Sequence, residues 1–70
     1  MFLIKMENLY GQENCIAYYR KLGDCFDLVY DTKYATKFTN QDEILKILDH
    51  ADWYCKQYNA SSMSVVPLRG

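Results

Sequence analysis

The sequence predicts a small α+β domain, in which a three- to four-stranded, mostly antiparallel sheet carries one helix packed on one face. Half of the 70 residues are hydrophobic and only four are Gly or Pro, a composition typical of a globular protein. Period-two alternation marks strands, and one apolar stripe at helical spacing marks a helix. The expected order is strand, strand, strand, helix, strand. We expect a single domain over residues 1–70, because so short a chain buries too little surface for two cores.

The first three strands follow from alternation and from the breaks between apolar runs. Residues 2–7 alternate, with the apolar side chains of even-numbered residues on one side. Residues 8–14 are mostly polar and contain a glycine, so they predict a loop. Two further runs, 15–22 and 25–30, are typical of strands.

A two-residue turn between those runs fixes their register. Gly23 and Asp24 suit a type II′ hairpin turn, because glycine tolerates the positive φ of its first position. Paired residue numbers should then sum to 47. This register places Arg20 opposite Asp27, so we expect a cross-strand ion pair on one face of the hairpin.

A helix and a last strand complete the chain. Residues 31–38 predict an irregular connection or a single helical turn, and Asn40 is a preferred helix N-cap. The helix is expected from Gln41 to about Tyr58, with its apolar stripe at Ile44, Leu48, Ala51, Cys55 and Tyr58. A strand over 63–68 follows. Pro67 lacks an amide donor, which favours either an edge position for that strand or the end of the strand at the proline.

The two faces of the sheet are expected to differ. The helix stripe should cover one face, at Ile4, Ala17, Tyr19, Phe26 and Leu28. The other face would then expose an apolar patch at Leu3, Ile16, Tyr18 and Val29. Exposed apolar patches often mark interfaces, so we expect a homodimer that pairs through this open face.

Composition excludes several classes of function. The net charge is −1, which offers no broad positive field to phosphate or anionic lipid. Lys5 and Glu7 interrupt the apolar opening, so we expect no secretion signal, no membrane contact and a cytoplasmic location. The chain has one histidine and three unpaired-looking cysteines, without metal-ligand spacing or a phosphate-binding loop. We therefore expect a protein that is not an enzyme and binds no cofactor or metal.

The helix carries one anomaly, its tryptophan. Trp53 falls about 180° from Ile44 on the helical wheel, so the largest apolar side chain should face away from the core. Such side chains often supply binding energy, although a covering loop could equally explain Trp53 as packing. The candidate partner-binding residues are those near it on the helix together with two on the open sheet face: Trp53, Tyr54, His50, Gln57, Lys46, Tyr18 and Arg20.

Two stretches carry a resemblance to known proteins: the Gly23-Asp24 turn followed by Tyr30-Asp31-Thr32, and the Ala35-x-x-Phe38 step that leads into the helix through residues 39–43. Over residues 23–68 the chain resembles small accessory proteins of phages and prophages. That resemblance implies a compact α+β fold and a role in the cytoplasm of a bacterial host. Proteins of this kind often bind and block host factors, including defence nucleases.

The leading functional hypothesis is therefore a non-catalytic, protein-binding accessory module that inhibits a host protein. One alternative is a single-stranded nucleic-acid-binding protein, because tyrosines on a sheet can stack bases. Asp24, Asp27 and Asp31 lie among the nearby cations and oppose phosphate contacts. Another alternative is a small-ligand binder whose site forms between subunits.

Overall fold

The computed structural model describes residues 1–68 and confirms the α+β class. One antiparallel sheet has the strand order β3-β2-β1-β4, and the helices pack on one face of it. Short 3-10 turns interrupt the first and third connections, at Leu9–Gly11 and Thr32–Tyr34. The elements are β1 (Phe2–Glu7), β2 (Ala17–Leu22), β3 (Cys25–Val29), α1 (Gln41–Leu48), α2 (Ala51–Tyr58) and β4 (Ser62–Pro67).

The hairpin has the predicted register. Arg20 pairs with Asp27, and the pairs on either side of it also sum to 47. Gly23 adopts a φ of 58°, a value that disfavours side chains with a Cβ. The predicted edge position of the last strand is confirmed as well, because β4 pairs only with β1 within the described sheet and ends at Pro67.

The prediction of one continuous helix is wrong, because the helix breaks between α1 and α2. The amide of Asp49 donates to Leu45 O at 2.9 Å and ends α1, whereas His50 leaves helical geometry with φ −104° and ψ 21°. Both residues are weaker helix formers than the leucines and lysine before them. The predicted apolar stripe nevertheless continues across the break, since Ala51, Cys55 and Tyr58 are all partly buried. Neither helix of residues 1–68 is long and apolar enough to cross a membrane.

A segment of the third connection is inserted between β1 and β2. The Thr36 amide donates to Tyr19 O at 3.2 Å, and Phe38 exchanges two backbone hydrogen bonds of 2.8 Å with Phe2. The strands pair directly at only two positions, near the other end of β1. Leu3, beside this insertion, is 2% exposed. Our expectation that Leu3 lies on an exposed patch is therefore wrong.

The core lies between the helices and the sheet, largely as predicted. The predicted core residues Ile4, Ala17, Tyr19 and Ile44 are buried, and the two clusters that contain them also include Met6, Leu9 and Phe38. The partly buried residues around them include Phe26, Leu28, Leu48 and Cys55.

The open face of the sheet is more polar than expected. The predicted ion pair of Arg20 and Asp27 crosses it, with Arg20 Nε donating to Asp27 Oδ1 at 2.8 Å. A second pair joins Lys5 Nζ to Glu7 Oε1 at 2.7 Å. These charges and the burial of Leu3 interrupt the apolar patch through which we expected the chain to dimerise.

Candidate functional site: an aromatic surface beside α2

Four aromatic side chains form a continuous row that reaches solvent at both ends. Trp53 contacts Phe26, Phe26 contacts Tyr58, and Tyr58 contacts Tyr10, with ring centroids 6.3, 6.2 and 6.5 Å apart. All three contacts are edge-to-face. Trp53 is 51% exposed and Tyr10 is 56% exposed, while the two rings between them are half-buried. We call these four residues the aromatic surface.

Phe26, a member of the row, connects it to two aromatic rings beneath the surface. Its ring stacks parallel to Tyr19 at 5.2 Å and meets the edge of Tyr54 at 5.0 Å. Tyr19 and Tyr54 also contact each other, at 5.8 Å and 90°. Phe26 thus touches four rings, two below the surface and two within it. Close ring contacts of this kind restrict the rotation of the side chains that make them.

The spacing along α2 explains which rings point inward. Tyr54 and Tyr58 are four residues apart and share the face of α2 that packs on the core. Trp53, adjacent to Tyr54, lies on the rim and contacts it edge-to-face at 5.1 Å. Asn59 ends the helix in the left-handed conformation, and its carbonyl accepts the Gly11 amide at 3.0 Å. That bond ties the end of α2 to the loop that carries Tyr10.

Tyr10 is held in an unfavourable backbone conformation. Its φ of 58° and ψ of 26° lie in the left-handed region, which costs a residue with a Cβ about 1–2 kcal/mol. The surrounding loop maintains it, because Leu9 is buried and Asn8 Oδ1 accepts the Asn14 amide at 2.9 Å. Strain of this kind is often found where a side chain is positioned for function.

Two groups on α2, the phenol of Tyr58 and the thiol of Cys55, are held in their neutral forms. Burial raises the pKa of the Tyr58 phenol, with further contributions from Tyr10, Asp27 and Tyr54. Burial also raises the pKa of the Cys55 thiol, and Asp52 adds to this shift. A neutral thiol is a weak nucleophile. The arrangement therefore offers contact area and neutral hydroxyl groups for recognition.

The predicted helix residues divide into exposed and inward-facing groups. Trp53 is exposed, as its helical phase predicts, although its ring also contacts Phe26. Tyr54, expected beside it on the surface, is half-buried and packs against both core clusters. This error arises because Tyr54 lies beside the apolar stripe of the helix, where the ring of Phe26 packs against it at 5.0 Å. His50 and Gln57 are exposed on the α2 side of the break, and Lys46 is exposed on α1.

The other two predicted residues lie on a separate surface. Tyr18 and Arg20 are half-buried on the open face of the sheet, opposite the helices. They cannot join Trp53 in one contact region. Conversely, sequence reasoning missed Phe26, Tyr58 and Tyr10 as surface members. The hairpin register gave the only available signal for Phe26, since it places that ring on the helix-covered side of β3.

Comparison with known protein families, with curated proteins and with solved structures finds no match to this chain. No residue role is transferred to the aromatic surface from another protein. The resemblance to phage accessory proteins and the partner-binding roles of the predicted residues both stay predictions. What the surface can do follows from its own geometry and chemistry.

Proposed function

We propose that this protein is a non-catalytic binding module whose aromatic surface docks on a protein partner. The observation that carries the proposal is the row of four contacting rings, exposed at Trp53 and Tyr10 and supported beneath by Tyr19 and Tyr54. Tryptophan and tyrosine are enriched among residues that dominate the energy of protein interfaces. An ordered surface also loses less conformational entropy on binding than a mobile one.

The charges favour a protein partner over a nucleic acid. Three cations are already engaged by carboxylates, through the pairs Lys5–Glu7, Arg20–Asp27 and Lys21–Glu43. Near the aromatic surface, α2 carries Asp52 as well as Lys56, so its local charge is balanced. Binding to a phosphate backbone depends on an excess of cations. Aromatic contact with a protein does not.

The biological role that we propose is an accessory one, in which the module inhibits a host protein in the bacterial cytoplasm. This role rests on the phage-like resemblance of residues 23–68. To block a partner, a protein needs affinity and enough surface to cover the partner's site, but it needs no catalytic group. A small protein with an aromatic binding surface meets these requirements.

A capture experiment with matched variants tests the proposal. Tagged wild type, Trp53→Ala and Tyr34→Ala are incubated with bacterial lysate, and the retained proteins are quantified. Tyr34 is an exposed aromatic residue on the Thr32–Tyr34 turn, outside the aromatic surface, so it controls for general stickiness. Loss of about 2 kcal/mol at Trp53 reduces affinity roughly thirtyfold, whereas the Tyr34 variant should retain the partner. Trp53 is the only tryptophan, so its fluorescence then reports binding of the purified partner directly.

Two results would contradict a protein-binding aromatic surface. One is equal retention by the Trp53 and Tyr34 variants. The other is recovery of nucleic acid whose affinity falls steeply with salt. Because Trp53 also contacts Phe26, each variant is checked for folding by circular dichroism. Tyr10→Asn serves as a second variant at the opposite end of the surface, where asparagine fits the left-handed backbone.

A further inference from the structure

Among residues 1–68, no strand pairs with the outer edge of β4, and the strand itself is uncharged. None of its residues, Ser62–Pro67, carries a charge. Leu68 donates to Met1 O at 2.8 Å, and hydrogen bonding alternates along an antiparallel pair. The amides of Met63 and Val65 therefore point away from β1. Pro67 shares their orientation and has no amide to offer, so the outward-facing donors of β4 end at Val65.

An apolar groove opens beside this edge, between α1 and the sheet. Its volume is about 230 Å³, and five of its six lining residues are apolar: Phe2, Gln41, Ile44, Leu45, Leu48 and Val65. Leu45 is 57% exposed, the largest exposure of any apolar residue in α1. Val65 belongs both to the groove and to the outward-facing positions of β4. The hydrogen-bonding edge and the apolar groove are thus one continuous surface.

We propose that a second copy of this chain docks on this surface, with the two β4 strands paired antiparallel across a two-fold axis. Centring the axis on Ser64 places Met63 of one copy opposite the partner's Val65, so that all four outward-facing amides find acceptors. The two sheets then join into one of eight strands, and Leu45 of each copy approaches the groove region of the other. This proposal uses a different surface from the proposed function and does not depend on it.

Charge favours a second copy as the occupant of this edge. A two-fold axis sets a strand against a copy of itself, with the residue on the axis opposite its own counterpart, so a charge near the axis meets like charge. The uncharged strand β4 avoids that repulsion. The other edge strand, β3, has Asp27 at its centre, and two-fold pairing there would set Asp27 against its copy. Natural sheet edges are often protected from pairing by charged residues or prolines, and no residue of β4 before Pro67 is of either kind.

Light scattering after size-exclusion chromatography tests the proposal with three glutamate variants. From micromolar to millimolar concentration, the wild-type mass should rise from one chain to two. Leu45→Glu charges the groove, and Ser64→Glu sets two carboxylates together at the axis. Each should raise the dissociation constant at least about tenfold. Leu22→Glu changes another exposed leucine, at the hairpin end of β2, and should leave the dissociation constant unchanged.

Amide hydrogen exchange shows whether β4 is the paired strand. The amides of Met63 and Val65 should exchange more slowly as the wild-type concentration rises, and Leu45→Glu should abolish that protection. A one-chain mass at every concentration would overturn the proposal. So would assemblies larger than two chains, because a two-fold pair uses up both β4 edges, or a dimer that Leu45→Glu and Ser64→Glu leave intact.

Discussion

The two edges of the sheet differ in how their side chains are used. At β3, Phe26 packs under Trp53 and Tyr58 on the helix side, and Asp27 pairs with Arg20 on the open side. At β4, the side chains are small or aliphatic, and an apolar groove lies beside Val65. Charged residues on an edge strand, or a strand that bends away or is covered, prevent unwanted pairing with another chain. The contrast is consistent with the two proposals, in which a partner contacts side chains beside β3 and a second copy pairs with the backbone of β4.

The largest expected effect is the loss of the Phe26 ring. Phe26→Ala removes contacts with four aromatic side chains. We expect a loss of about 2–4 kcal/mol in the free energy of unfolding, measured by urea denaturation, since the ring is half-buried. Val65→Ala on the opposite edge removes two methyl groups beside a groove and should cost about 1 kcal/mol.

Phe26→Leu distinguishes the contribution of the aromatic contacts to stability from the contribution of buried apolar volume. Leucine keeps most of the buried apolar area but cannot stack on Tyr19 or meet Tyr54 edge-to-face, so an intermediate loss is expected. Equal losses for the alanine variants of Phe26 and Val65 would contradict the view that β3 depends more on its side chains than β4 does.

The parts of the fold that depend on local sequence could be predicted. A two-residue turn leaves one register for the hairpin, so the Arg20–Asp27 pair follows from Gly23-Asp24 alone. Pro67 likewise indicates an edge strand, because its missing amide is tolerated only there. Asn40 acts as the predicted N-cap, with its Oδ1 accepting the Asp42 amide at 2.9 Å.

The parts of the fold that depend on contacts between distant residues could not be predicted from the sequence. The insertion of Thr36 and Phe38 between β1 and β2 rests on backbone bonds to residues far away in sequence, and so does the burial of Leu3. The aromatic surface joins a loop, an edge strand and a helix. Of the two adjacent helix residues that we expected to be exposed, Trp53 is exposed, but Tyr54 packs against Tyr19 and Phe26, which lie far from it in sequence.

A smaller effect is expected from the ion pair that charges the β3 edge. Arg20 lowers the pKa of Asp27 below its ordinary value of 3.8, through their hydrogen bond and then through charge attraction. A lowered folded-state pKa stabilises the fold above the ordinary value, and that stabilisation is lost as the pH falls through the lowered value. Asp27→Asn should therefore lower the Tm by a few degrees at neutral pH and by less in strong acid. A difference in Tm that grew on acidification would contradict this assignment.

The smallest effect is expected at the exposed end of the aromatic surface. Tyr10→Asn removes the edge-to-face contact with Tyr58, a pair of a kind worth about 0.5–1.5 kcal/mol. It also relieves left-handed strain of similar size, because asparagine tolerates that conformation better than tyrosine. The two changes oppose each other, so the free energy of unfolding should change by less than about 1 kcal/mol. Tyr10→Phe keeps both the ring and the strain, and should behave like wild type. A large loss of stability in Tyr10→Asn but not in Tyr10→Phe would show that the ring stabilises the fold through its contact with Tyr58 of α2, which would leave Trp53 as the one exposed ring of the aromatic surface available to a partner.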